Sequence, residues 1–287
     1  MKSIKLKARA KINLGLDVLG KRPDGYHEVR MVMQTVGLYD RIIIRKTKEK
    51  GIKIVTNLSF LPVNENNLVY KAASLLMEEF HIEEGVYIDL NKFIPVAAGM
   101  AGGSSDAASV LYGINRLFDL KLSSQQLMER GVKIGADVPY CIMRGTALAE
   151  GIGEKLSRLA PVPDMYLVIA KPPISVSTKQ VYESLDMNKE IEHPDIDGII
   201  DAINQKDVNA IAAKMGNVLE SVTIPLYPVI DKIKQDMIRL GAVNAMMSGS
   251  GPTVFGIFCN KEKAMECVEY LKGAQDAKQV YITDIFN

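Results

Sequence analysis

Pro95-Val-Ala-Ala-Gly-Met-Ala-Gly-Gly-Ser-Ser-Asp-Ala-Ala-Ser109 lies between a segment of strand character, Val86 to Ile94, and an amphipathic helical pattern at Val110, Leu111, Ile114, Leu117 and Phe118. Gly99, Gly102 and Gly103 allow a tight turn and a close approach of backbone to a ligand. Ser104, Ser105 and Asp106 then open the helix, where unpaired amide N–H groups and the positive end of the dipole favour an anion. A phosphate bound there would be held chiefly by backbone donors. The same residues also suit a plain connector whose hydroxyls or carboxylate cap the helix, so the pattern alone leaves both readings open.

Working outward, even positions from Ile4 to Val18 are apolar while Lys5, Lys7, Arg9, Lys11, Asn13 and Asp17 take odd ones, a period of two that predicts a strand bent near its middle. Lys11 and Asn13 then share a face opposite the core. A Pro-Asp-Gly turn at 23–25 follows, then strands at Val29 to Leu38, Arg41 to Lys46 and Ile52 to Thr56, and a helix at Asn67 to Phe80. Beyond the Gly-rich arc, Ser123 caps a helix running to about Ile134. The Gly/Pro-rich stretch Gly151 to Pro163 marks a domain boundary, dividing the chain into 1–155 and 156–287. Past it come a strand at Tyr166 to Ala170 and a helix capped by Ser177. Further helices are expected at Ile196 to Ile203, Val208 to Leu219, Pro228 to Leu240 and Glu262 to Leu271, with strands at Asn244 to Met247, Thr253 to Phe258 and Val280 to Ile285. The class is α+β with mixed or antiparallel sheets.

Composition narrows the function. The 287 residues carry 35 Lys+Arg and 34 Asp+Glu, a net charge of +1, so no broad cationic field speaks for nucleic acid. Phosphate recognition must be local. Cys141, Cys259 and Cys267 have no CxxC spacing and His27, His81 and His193 no metal-ligand spacing, so neither a disulfide framework nor a zinc site is expected, and a reducing cytoplasm fits. The N-terminal segment lacks the apolar core of a secretory signal. Leu240 to Asn260 is uncharged, but its glycines, Pro252 and serines point to strand, turn and strand rather than a membrane span. The Walker A pattern, the dinucleotide fingerprint and the GxSxG elbow are each missing a required residue: no Lys follows the glycines, Val254 and Leu156 stand where Gly is needed, and Asp106 ends the Gly102-Gly-Ser-Ser run.

A second Gly-rich turn, Met247-Ser-Gly-Ser-Gly-Pro-Thr-Val-Phe255, sits between two apolar strands, and two such loops make a shared phosphate site more credible. Asp137, in Gly135-Ala-Asp-Val-Pro139, is read as lying just past a helix end, where the dipole disfavours it; it suits either a carboxylate placed for catalysis or a solvated turn. Tyr26, His27 and Tyr182 allow a base sandwiched between tyrosines with the imidazole at its edge, or ordinary surface and packing roles.

Ala10-Lys-Ile-Asn-Leu-Gly-Leu16, Asp24-Gly-Tyr-His27, Pro95 to Ser109, Gly135-Ala-Asp-Val-Pro139 and Ser248-Gly-Ser-Gly-Pro-Thr-Val-Phe-Gly256 together resemble the GHMP kinase superfamily, in its order and across nearly the whole chain. The central loop departs from the common Gly-Leu-Gly-Ser-Ser-Ala form in the way of the branch acting on a cytidine-diphospho sugar alcohol. The resemblance implies an N-terminal domain of the ribosomal-protein-S5 domain 2-like type that holds ATP, and a ferredoxin-like C-terminal domain contributing to the acceptor site. By motif it assigns ATP phosphates to Pro95, Val96, Ala97, Ala98, Gly99, Met100, Ala101, Gly102, Gly103, Ser104 and Ser105. It makes Asp137 the general base, Lys11 its charged partner, and Asn13, Tyr26, His27, Thr178 and Tyr182 substrate-binding residues. Mg²⁺ would accompany ATP, with its protein ligand unassigned. A homoserine, mevalonate or sugar kinase, and a non-catalytic nucleotide binder, are the alternatives. No nucleic-acid or membrane partner is implied, and oligomeric state is left open.

Overall fold

A computed structural model describes residues 2–186 and 191–287. In chain order its elements are β1 (Ser3–Lys21), β2 (His27–Thr47), β3 (Ile52–Thr56), α1 (Leu68–Glu79), β4 (Gly85–Asn91), α2 (Gly102–Phe118), α3 (Ser124–Gly131), α4 (Val138–Met143), β5 (Thr146–Gly151), β6 (Lys155–Arg158) and β7 (Tyr166–Lys171). They continue as α5 (Thr178–Ser184), α6 (Ile196–Asn204), α7 (Val208–Lys214), β8 (Gly216–Asn217), α8 (Glu220–Leu226), α9 (Val229–Arg239), β9 (Asn244–Met247), β10 (Val254–Phe258), α10 (Lys261–Gly273) and β11 (Gln279–Asp284). One sheet runs β3-β4-β2-β1-β8, with β5 paired to β2 and β6 to β5; its β3–β4 and β1–β8 pairs are parallel, so it is mixed. The other, β11-β7-β10-β9, is antiparallel throughout. The α+β class therefore holds.

The chain forms two compact units that are not contiguous in sequence. The first comprises residues 1–10, 38–96 and 101–144, the second 11–37, 97–100 and 145–287. The expected cut at 155/156 lies within β6, in the β5–β6 hairpin. In the first unit, α2 buries Ala107, Val110, Leu111, Ile114 and Leu117, packs on α1 and α4, and meets the sheet at Gly113. The approach is close: a methyl on Gly113 would come within 2.5 Å of Ile44 Cδ1 and 2.8 Å of Leu6 Cδ1. In the second unit β10 is buried along its whole length between β7 and β9, with α9 packed on β9 and β10 and α10 packed on β11 and β7.

Several local expectations need correction. The strands expected at 29–38 and 41–46 form one continuous β2, since nothing between them breaks the ladder. The helix expected from Val208 to Leu219 stops at Lys214; Gly216 and Asn217 instead pair with Gly15 and Leu16, and α8 begins at Glu220. Lys11 and Asn13 share a face of β1 as expected, but that face is buried, at 5% and 0% exposed. The strand is covered on both sides there, so alternation of residue type did not mark a solvent side. Leu240 to Asn260 resolves into β9, a turn and β10. Among the described residues no helix is long and apolar enough to cross a membrane.

Candidate active site

The arc between β4 and α2 carries three left-handed residues, Ala97 (φ 51°), Gly99 (φ 72°) and Ala101 (φ 53°). Ala101 is the N-cap of α2 and makes no side-chain capping bond. The helix therefore starts at Gly102, ahead of the serines, which removes the plain capping reading of Ser104, Ser105 and Asp106. Ser105 N–H closes the first turn on the Ala101 carbonyl at 2.8 Å. The N–H groups of Gly102, Gly103 and Ser104 are left at the helix end with its positive dipole, an arrangement suited to an anion.

Asp137 belongs to the same compact unit as α2. It does not trail a helix, as read from sequence, but precedes one: α3 ends at Gly131, and Asp137 is the half-buried N-cap of α4. The dipole there favours a carboxylate, so the cost expected from its position is absent. Its side chain makes no capping bond and so remains available to a ligand. A methyl on Gly135 would lie 3.9 Å from Ser104 Oγ, which sets this turn against the first turn of α2.

Beneath that turn lies a cluster that reading the sequence missed. Lys92 Nζ donates to Asp40 and, at 2.6 Å, to Asp106, all three being buried. Asp106 stands four residues before Val110 and so on the apolar stripe of α2; a charged residue on a buried stripe demands a partner, and that was the signal available.

In the second unit the middle of the arc is tied to the other Gly-rich turn. Ser248 Oγ donates to the Gly99 carbonyl at 3.0 Å, and a methyl on Gly99 would come within 2.0 Å of the Ser248 carbonyl oxygen. Lys11 N–H donates to the Met100 carbonyl at 3.2 Å, while its ammonium donates to Asn13 Oδ1 at 2.8 Å. Asn217, buried and also missed, donates to the carbonyls of Met247 and Gly249 at 2.9 and 2.8 Å, fixing the second turn. Thr178, first residue of α5, shares a 2.8 Å hydrogen bond with Ser250. One helical turn on, the Tyr182 ring packs on His27 with centroids 5.2 Å apart. Met100, Lys11, Asn13 and Thr178 thus gather around the two turns, and Tyr182 meets His27, while Tyr26 stays 60% exposed on the 22–26 turn. Burial, reinforced by the nearby Lys21 charge, holds the His27 imidazole below its ordinary value of 6.5, so it is neutral near pH 7.

A model of the GHMP kinases N-terminal domain matches residues 67–145, and one of the GHMP kinases C-terminal domain matches 190–276. The chain is 65% identical to a 4-diphosphocytidyl-2-C-methyl-D-erythritol kinase of Lachnospira eligens, over 100% of this chain and 99% of that protein. It is 55% identical to one of Lachnoclostridium phytofermentans, over 100% and 98%. Among solved structures it is similar to a 4-(cytidine 5'-diphospho)-2C-methyl-D-erythritol kinase, with TM-score 0.85, 31% identity, and 99% of this chain and 100% of that one covered. A homoserine kinase from Cytophaga hutchinsonii, 22% identical with TM-score 0.79 over 99% of this chain and 95% of that one, shares the fold.

Two outcomes test the geometry. Gly99→Val places a branched side chain at positive φ against the Ser248 backbone, and should cost roughly 1–3 kcal/mol in urea unfolding. For His27, the folded state takes up its proton at lower pH than the unfolded state does. Its contribution is complete above pH 6.5 and is lost as pH falls toward the folded value. His27→Gln should therefore flatten the decline of stability with acid below pH 6.5, measured by denaturant titration at a series of pH values; an unchanged slope would contradict the assignment.

Proposed function

The chain belongs to the GHMP kinase family, and from that premise we propose that it transfers the γ-phosphoryl group of ATP to the 2-hydroxyl of 4-diphosphocytidyl-2-C-methyl-D-erythritol, in the non-mevalonate route to isoprenoid precursors. The observation that carries the reading is 65% identity, end to end, with a kinase named for that acceptor. The arrangement around α2 supports it, since its first turn offers amide donors and no competing cap.

In this reading residues 95–105 receive the ATP phosphates, chiefly through backbone N–H groups. Loose phosphoryl-transfer transition states need little covalent help, so fixed donors at the helix end supply stabilisation without reorganising. Asp137 takes the proton of the acceptor hydroxyl as the bond to phosphorus forms. Lys11 is its charged partner, and Asn13, which holds the Lys11 ammonium, helps to place the acceptor. His27, neutral, offers one donor and one acceptor to the edge of cytosine, with Tyr26 and Tyr182 as stacking surfaces and Thr178 beside them. Nucleotide binding is assigned to residues 1–155, and 156–287 contribute to the acceptor site through Thr178 and Tyr182. The site of action is the cytoplasm, and the balanced charge argues against a nucleic-acid partner.

Mg²⁺ fits this donor set as a companion of ATP. Among the described residues no cluster of three His, Cys, Asp or Glu offers an all-protein cage. This metal usually keeps several waters and binds substrate phosphates with one or two carboxylates, so it needs few protein ligands; the hydroxyl of half-buried Ser104, in the first turn of α2, would be one of them. Bound there, it would neutralise charge on the phosphates.

Purified protein should be offered ATP with a panel of acceptors: the cytidine-diphospho methylerythritol, homoserine, mevalonate and galactose. Phosphorylation of the first alone is expected; turnover of another instead would move the chain to that branch. Asp137→Asn should lower kcat roughly 10²–10⁴-fold while ATP affinity is largely kept. Loss of ATP binding without loss of turnover would remove Asp137 from the chemistry. Tyr182→Leu should raise the acceptor KM about tenfold, from lost base stacking, and leave the ATP KM nearly unchanged.

A further inference from the structure

Lys92, Asp40 and Asp106 are 8%, 0% and 2% exposed, and none belongs to the machinery described above. The Lys92 backbone is clamped by Asn57, whose Oδ1 accepts from Lys92 N–H at 2.8 Å and whose Nδ2 donates to its carbonyl at 3.1 Å. Its ammonium reaches two carboxylates on different elements, Asp40 on β2 and Asp106 on α2. Asp40 Oδ1 in turn accepts from the N–H groups of Phe93 and Ile94, the latter at 2.8 Å, so it pins the backbone that enters the arc. At the far end of the arc, a methyl on Gly102 would come within 3.2 Å of Lys92 Nζ. One ammonium thus lies against the start of α2 while holding the carboxylate that fixes Ile94.

Stability alone is a poor reason for this cluster. Buried ion pairs repay little of their desolvation cost, and well-packed apolar residues often serve as well or better. Asp106 Oδ1 has no hydrogen-bond partner among the described residues. The two carboxylates raise Lys92 despite its burial, so the ammonium stays charged.

We propose that Lys92 is a positioning residue for ATP: by bridging Asp40 and Asp106 it sets the span between Ile94 and Gly102, and thereby the shape in which residues 95–101 and the first turn of α2 meet the triphosphate. The proposal rests on the assignment of ATP phosphates to residues 95–105. It concerns nucleotide binding and not the acceptor, and that separates it from a merely structural role.

The test uses the whole protein, with initial rates measured over each substrate in turn and thermal melts to establish folding. Lys92→Met should raise the ATP KM about tenfold or more and move the acceptor KM less than about twofold. Asp40→Asn, which keeps the size of the side chain but sets an amide against the ammonium, should do the same, and decides the matter if Lys92→Met does not fold. Asp106→Asn should leave both KM values within about threefold, since an amide oxygen still accepts from Lys92. A folded Lys92→Met or Asp40→Asn protein with an unchanged ATP KM overturns the proposal, as does a loss shared equally by both substrates. Failure of the underlying assignment looks different: Gly99→Val and Lys92→Met alike would then leave the ATP KM of an active kinase untouched.

Discussion

A loop that grips an anion with its own amides must keep side chains out of the space the anion takes and hold its backbone where few residues rest easily. Residues 95–101, proposed above to be such a loop, hold three left-handed conformations, two of them at alanines that carry a Cβ into that region. Such backbone persists only where surrounding contacts over-determine it. Here those contacts are visible: Ser248 and Lys11 bind the carbonyls of Gly99 and Met100, while Asp40 binds the amides before the arc. The rest of the site follows from that held curve. Because the helix starts at Gly102 with no side-chain cap, its first amides stay open to a ligand.

Each compact unit gathers its own set of groups. The first collects the helix end, the Asp137 turn and the buried Lys92 cluster, all elements that deal with charge. The second collects the two Gly-rich turns, Lys11 with Asn13, and the rings of His27 and Tyr182. Burial sets the electrical state of both. It keeps His27 neutral and therefore able to both donate and accept, and it pushes Asp106 above the usual carboxylate range while Lys92 remains a cation. It also pushes the Cys267 thiol up to about 12, which makes that cysteine a packing residue rather than a nucleophile.

Much of the site was legible in residue order because local rules govern it. Glycines before a helix, serines in its first turn, an asparagine at 67 that caps α1 and a serine at 123 with its reciprocal capping box all act over a few residues. Asp137 was legible as an unusual aspartate, but the sign of the dipole acting on it was misjudged, because where α3 ends depends on packing rather than on Gly135 alone. The continuity of β2, the strand at Gly216–Asn217 and the break after Lys214 escaped for a related reason: each is decided by a partner strand distant in sequence.

By itself the order of residues determined the α+β class, most of the elements and the family, since periodicity, caps and motif order are properties of neighbouring residues. Only the tertiary structure decided which charges are buried and with whom. Lys92, Asp40 and Asp106 look like three unrelated surface charges until folding brings them together, and Lys11 and Asn13 look solvated until both sides of β1 are covered. Charge burial is a property of what lies across the fold, and the low dielectric there, not the residue type, fixes what each group can do.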